Sequence, residues 1–138
     1  MTSADLLVDT SVAVALVLVD HEQHERTVDA IGDRQVGLSG RAAFETFSVL
    51  TRLPPPLRRT PAAVGQILTR NFPASRFLNA TRALDLLDRL SQLGIAGGTV
   101  YDGLIGAVAV QHHLRLATRD RRAIGTYRAL NVDVEVMA

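Results

Sequence analysis

Short apolar runs alternate along this chain with longer stretches in which apolar positions recur at helical spacing. Leu6–Asp9 reads as a short buried strand, and Thr10 or Ser11 then caps a helix through Val12–Val19. His21–Asp33 predicts a polar helix with Val28 and Ile31 facing inward, and Val36–Ser39 a second strand. Arg41–Leu53 places Phe44, Phe47 and Leu50 at helical spacing before Pro54-Pro55-Pro56 stops the helix. Thr60-Pro61 opens another helix, with proline at its first position, which runs to about Arg70 and ends at Asn71-Phe72-Pro73. An extended piece follows around Arg76–Leu78. Ala80–Leu93 predicts an amphipathic helix in which Leu84, Leu86, Leu87, Leu90 and Leu93 make one broad apolar face. After a loop with Gly94, Gly97 and Gly98, Thr99 caps a helix to about His113. Leu114–Thr118 predicts a strand, Asp120–Leu130 a short helix, and Val132–Val136 a terminal strand.

Strands interleaved with helices predict an α/β fold whose parallel sheet is covered on both faces. With 138 residues and no repeat or linker, residues 1–138 read as one domain. In such sheets ligands bind beyond the carboxyl ends of the strands, where Asp9 and Asp120 are expected to fall.

Apolar content of 47% argues for a packed globule. The absence of cysteine excludes disulfides and thiolate chemistry and fits a reducing compartment. The early residues carry no basic signal-peptide region, and Thr10–Val19 is too short for a bilayer, which needs about 20 residues. A cytoplasmic location is expected. A net charge of +1 does not announce nucleic-acid binding. All 15 strongly basic residues are arginine, which suits bidentate phosphate contacts, although a GC-rich genome accounts for it equally well.

The acidic residues change the picture. Asp9 in LLVDTSV follows a strand and is either a helix cap or a free carboxylate if Thr10 or Ser11 caps instead. Glu45 in RAAFETFSVL lies mid-helix beside apolar residues and is otherwise a surface partner of Arg41. Asp102 in TVYDGLIGA fits a T-x-x-D capping box with Thr99. Asp120 in LATRDRRA is either a cap or part of a site with Thr118 and Arg119, Arg121 and Arg122, which form a solvated face or grip a phosphate backbone. Brought together, four carboxylates repel, and a hard divalent cation removes that conflict. Such a cluster can activate water against a phosphodiester.

In this order and context, LLVDTSV, FETFSVLTRLPPP, YDGLIGAVA and ATRDRR resemble the PIN-domain family, and within it the VapC toxins of type II toxin–antitoxin modules. The resemblance covers essentially the whole chain. It implies a single PIN domain folded as a three-layer α/β/α sandwich with a central parallel sheet. It also implies an endoribonuclease dependent on Mg²⁺ or Mn²⁺ that cuts structured tRNA or rRNA, with Asp9, Glu45, Asp102 and Asp120 as the catalytic and metal-binding quartet. Asp9 and Asp102 are then the expected direct ligands, Thr118 and Ser11 support them, and Arg119, Arg121 and Arg122 contact RNA. A VapB-type antitoxin and a homodimer are the implied partners. The alternative is a catalytically silent PIN-like module that binds RNA or an antitoxin.

Other motifs carry less. His21 and His24 form HExH, not the HExxH of zinc proteases, and no G-x-G-x-x-G or P-loop is present. Receiver domains and haloacid-dehalogenase-type phosphatases use a lysine, which this chain lacks.

Overall fold

Three residues suffice for each inner strand, Leu-Leu-Val in one and Leu-Ala-Thr in the other, because both faces of the sheet are covered. In the computed structural model of the chain, residues 5–138 are described. Strands β1 (Leu6–Val8), β2 (Val36–Leu38), β3 (Leu116–Thr118) and β4 (Val134–Val136) form one parallel sheet in the order β2-β1-β3-β4. Leu6 pairs with Val36, Leu7 with Leu116, and Ala117 with Glu135. Every residue of β1, β2 and β3 is buried, as expected where helices cover both faces.

Eight further elements lie among the described residues. They are α1 (Thr10–Val17), α2 (His24–Ile31), α3 (Arg41–Thr51), α4 (Pro61–Asn71), α5 (Ala80–Leu93), α6 (Thr99–His112), a 3₁₀ turn (Arg121–Ala123) and α7 (Ile124–Ala129). Alternation along β1 and β3 divides the core in two. Leu6, Val8 and Ala117 pack with Val12 and Ala13 of α1, Ile31 of α2 and Phe72 at the end of α4. Leu7 and Leu116 pack on the opposite face with Leu86 and Leu90 of α5, Ile105 and Val108 of α6, and Tyr127 of α7. The result is the α/β/α sandwich that the pattern implied. Gly106 lets α6 approach α7: a Cβ there would lie 2.9 Å from Val132 Cγ2 and 3.0 Å from Tyr127 Cδ1.

Several local expectations are corrected. Asp9 caps α1, accepting from Val12 N, so neither Thr10 nor Ser11 is the cap. In α2 the inward pair is Thr27 and Ile31, while Val28 is exposed. The Thr27 hydroxyl donates to Gln23 O, so its own helix satisfies the polar group and its methyl can face the core. In α3 the buried stripe is Ala42, Thr46 and Leu50, and Phe44 points outward. Only Leu86 and Leu90 of α5 are buried; Leu84 and Leu87 are exposed, because leucine surrounds much of this helix while it packs against α6 along one stripe. Thr99 forms no capping box, since its hydroxyl donates to Ala96 O and the cap of α6 is Gly98. The piece at Arg76 is a single parallel bridge to Ser39.

One ion pair spans the sheet. Arg34, just before edge strand β2, donates Nη1 and Nη2 to Glu135 Oε1 and Oε2 of the opposite edge strand at 2.7 and 2.8 Å. The hydrogen bonds from Arg34 hold the Glu135 carboxyl below its ordinary range, against partial burial. A depressed carboxylate pKa contributes stability above the ordinary glutamate value of about 4.3, and that contribution is lost as pH falls through the lower folded value. Glu135→Gln is therefore expected to lower stability by about 1 kcal/mol at pH 7, a partly exposed pair being screened. The deficit should shrink at a pH well below the ordinary glutamate value. Urea unfolding at the two pH values checks both points.

Candidate active site

The strand order reverses between β1 and β3. From β1 the chain proceeds to β2 on one side, and from β3 to β4 on the other. The crevice at the carboxyl ends of these two strands is the natural ligand position in a parallel sheet. Asp9 follows β1 directly, Thr118 ends β3, and Asp120 lies two residues beyond.

Two hydroxyls stitch the strand ends together. Ser11 Oγ donates to Asp9 Oδ1 at 2.5 Å and accepts from Arg119 N at 2.9 Å. Thr118 Oγ1 donates to Asp9 Oδ2 at 2.5 Å and accepts from Asp120 N at 3.0 Å. Asp9 also accepts from Val12 N at 3.3 Å and from Tyr127 Oη at 2.9 Å. Asp9 is only 3% exposed. Burial raises its pKa, and the bonds from Ser11, Thr118, Tyr127 and Val12 oppose that rise. Burial and the neighbouring Asp9 charge likewise push the Tyr127 phenol far above its usual value, so it stays a donor.

Asp102 projects from the first turn of α6 and is largely buried. Arg122 reaches it through Nη1 to Oδ2 at 3.0 Å and Nη2 to Oδ1 at 3.4 Å, and Nη2 also lies 3.0 Å from Asp120 Oδ2. One guanidinium thus sits between two of the four carboxylates. Asp120 also caps the 3₁₀ turn by accepting from Arg122 N. Glu45 comes from α3. It accepts from Thr10 Oγ1 at 2.9 Å and pairs with Arg41 Nε at 2.9 Å, and the Arg41 guanidinium stacks 3.6 Å over the Tyr101 ring.

These side chains surround an open polar cleft of about 490 Å³, lined by Arg41, Glu45, Arg52, Tyr101, Asp102 and Arg122 among others. Asp9 and Asp120 do not line it. Asp9 lies behind, next in sequence to the Thr10 that holds Glu45. The apolar cleft of about 340 Å³ between α5 and α6 lies apart from the four acids.

The structure therefore gathers the four acids at one end of the sheet, joined through Thr118, Arg122 and Thr10. Among the described residues, no three His, Cys, Asp or Glu side chains form a ready-made metal cage. The donor chemistry still suits a hard cation. Every nearby ligand atom is a carboxylate or hydroxyl oxygen, and Mg²⁺ takes one or two carboxylates while keeping several waters. Arg122 marks a place where positive charge is already required, between Asp102 and Asp120.

Of the three arginines beside Asp120, Arg122 is engaged with the acids, and Arg119 Nη1 points to Thr27 Oγ1 at 3.4 Å. Arg121 is exposed. Sequence reasoning missed Tyr127 and the tie from Thr10 to Glu45, whereas the Arg41–Glu45 pair it anticipated is present. Tyr127 looks like any apolar position of α7, and no local signal reveals that its hydroxyl reaches residue 9. Thr10 stands beside Asp9, where its hydroxyl suits a helix cap, and nothing local shows that it reaches Glu45.

The PIN domain family profile matches residues 6–129. The chain is 43% identical over 133 residues to Ribonuclease VapC27 of Mycobacterium tuberculosis, covering 96% of this chain and 97% of that protein. It is 44% identical over 133 residues to Ribonuclease VapC40 of the same organism, covering 94% and 96%. Among solved structures, VapBC2 from Rickettsia felis bound to a DNA fragment from its promoter matches with a TM-score of 0.69, covering 97% of this chain and 99% of that chain at 14% identity.

The raised Asp9 pKa has a stability consequence. A carboxyl raised in the folded state favours folding when protonated, and this contribution disappears as pH rises through the folded value. Above the folded value the buried charge is a net cost. Asp9→Asn, measured in EDTA, is expected to raise the melting temperature by roughly 2–5 °C at pH 7, equivalent to about 1 kcal/mol. The gain should shrink as pH falls and wild-type Asp9 takes up its proton. Calorimetric melting across that range decides it, and an unchanged or lower melting temperature at pH 7 contradicts it.

Proposed function

This chain belongs to the PIN domain family, and to the VapC ribonucleases within it, and we propose that it is a toxin whose endoribonuclease chemistry is run by Mg²⁺ or Mn²⁺ at Asp9, Asp102, Asp120 and Glu45. The observation that carries this reading is the meeting of Asp9, Thr118 and Asp120 where the strand order reverses, with the Arg122 guanidinium held between Asp102 and Asp120. A bound divalent cation would supply charge neutralisation at the scissile phosphate and make water more acidic.

The chain's own residues do the rest. Asp9 and Asp102 are assigned as the direct ligands, because they are the two most buried acids of the four. Glu45 and Asp120 are less buried and are assigned to hold or accept protons from water. Arg122 would compete with a bound cation for Asp102, and its guanidinium, if displaced, would be able to turn toward a phosphate. Arg41 and Arg52 line the cleft, where guanidinium groups suit an RNA backbone. Arg119 and Arg121 extend that basic surface beside Asp120. Phe44, exposed at the cleft, and Tyr101, on the side that Arg41 leaves uncovered, offer aromatic surface to unpaired bases, which favours structured tRNA or rRNA loops as the substrate class.

A VapB-type antitoxin is the assigned partner, encoded by a short reading frame immediately upstream, with a homodimer as the assembly. The kinship to the named VapC ribonucleases supports that pairing, and the fold shared with VapBC2 from Rickettsia felis agrees with it. Among the described residues no helix is long and apolar enough to cross a membrane. The cytoplasm, which holds tRNA and ribosomes, is the assigned compartment.

The test is cleavage of total cellular RNA by purified protein, with 5′ ends mapped by sequencing. Discrete cuts are expected with Mg²⁺ or Mn²⁺, abolished by EDTA and reduced at least roughly 100-fold in Asp9→Asn and Asp102→Asn. Cuts that persist in EDTA would refute the metal assignment. RNA binding without cleavage under any cation would instead identify a silent binding module.

A further inference from the structure

Asp9 accepts four hydrogen bonds, about as many as an ionised carboxylate has lone-pair sites. A carboxylate so fully engaged binds anything further only if one donor turns away. The four donors differ in how easily they can do so. Val12 N belongs to the first turn of α1 and is fixed by the helix. Ser11 is half-buried, and its hydroxyl oxygen remains anchored by Arg119 N whichever way its hydrogen points. Thr118 and Tyr127 are buried, and both donate to the same oxygen, Oδ2.

Tyr127 is the most constrained of these. Its ring is 1% exposed and packed in the core with Leu130 and Val132. Gly106 of α6 leaves the ring its room, because a Cβ there would come within 3.0 Å of Cδ1. The phenol is therefore delivered to Asp9 from α7, on the far side of the chain, by close packing. We propose that Tyr127 is a positioning residue: with Thr118 it pins Asp9 Oδ2, leaving the Oδ1 edge beside half-buried Ser11 as the edge free to exchange donors for a cation. This inference rests on the reading of Asp9 as a metal-binding residue. Partners that orient a ligating carboxylate affect metal affinity by about 10- to 100-fold in well-studied sites.

The experiment is calorimetric titration of the full chain with Mn²⁺, comparing wild type, Tyr127→Phe and Val132→Ala. Tyr127→Phe removes the hydroxyl and keeps the ring. Val132→Ala trims the packing beside that ring and keeps the hydroxyl. Melting temperature is recorded for each, and the Mn²⁺ dependence of RNA cleavage runs in parallel. Tyr127→Phe is expected to weaken Mn²⁺ binding about tenfold and to move the Mn²⁺ midpoint for cleavage upward by a similar factor, with activity recovered at high Mn²⁺. Val132→Ala should lower the melting temperature and leave Mn²⁺ affinity within twofold of wild type. Wild-type affinity in Tyr127→Phe would overturn the positioning role while leaving the metal assignment standing. Equal weakening in both variants would reduce Tyr127 to a packing residue. A wild-type chain that binds no Mn²⁺ at millimolar concentration would overturn the metal assignment and this role together.

Discussion

A single buried carboxylate organises this end of the molecule. Asp9 is held by donors from α1, from the end of β3 and from α7, so three separated parts of the chain converge on two oxygen atoms. Taking a carboxylate out of water is costly, and its hydrogen bonds offset that cost only in part, as the upward pull on its pKa shows. The fold tolerates this because the donors are fixed by other needs: Thr118 by the sheet, Tyr127 by core packing, and Val12 by the helix start. A destabilising group so thoroughly supported is what a functional site looks like in energetic terms.

The remaining acids follow the same logic with charge in place of hydroxyls. Arg122 answers Asp102 and Asp120 together, and its guanidinium is held charged by both. Arg41 answers Glu45 while stacking on Tyr101. Negative charge is thus concentrated at the carboxyl ends of β1 and β3 and balanced by arginines at the rim. Those arginines can turn from carboxylate to phosphate, since the same planar fork matches both. A cleft prepared in this way suits a polyanionic substrate and a hard cation at once.

Much of the architecture was legible from periodicity. The strands near residues 6, 36, 116 and 134 stood out as short apolar runs, and the prolines at 54–56 and 61 bounded their helices as local sterics require. Orientation was less legible where apolar residues surround a helix. Leu84 and Leu87 of α5, and Phe44 of α3, scan as core and face outward, whereas Thr27 scans as surface and is buried. Spacing reveals that a helix has an apolar side, but not how much of that side the neighbouring layer covers.

The candidate site divides along the same line. The chemistry can be read along the chain: four acids of the right kind, each at a strand end or on a helix, no thiolate and no lysine, in an order shared with a known family. Which groups answer them is set by the packing of distant elements. That Tyr127 meets Asp9 across 118 residues, and that Arg122 stands between Asp102 and Asp120, follow from how α6 and α7 pack on the sheet. Local propensity encodes where a helix begins and what it carries. The contacts between distant elements depend on close packing of the whole core, which no window of sequence contains.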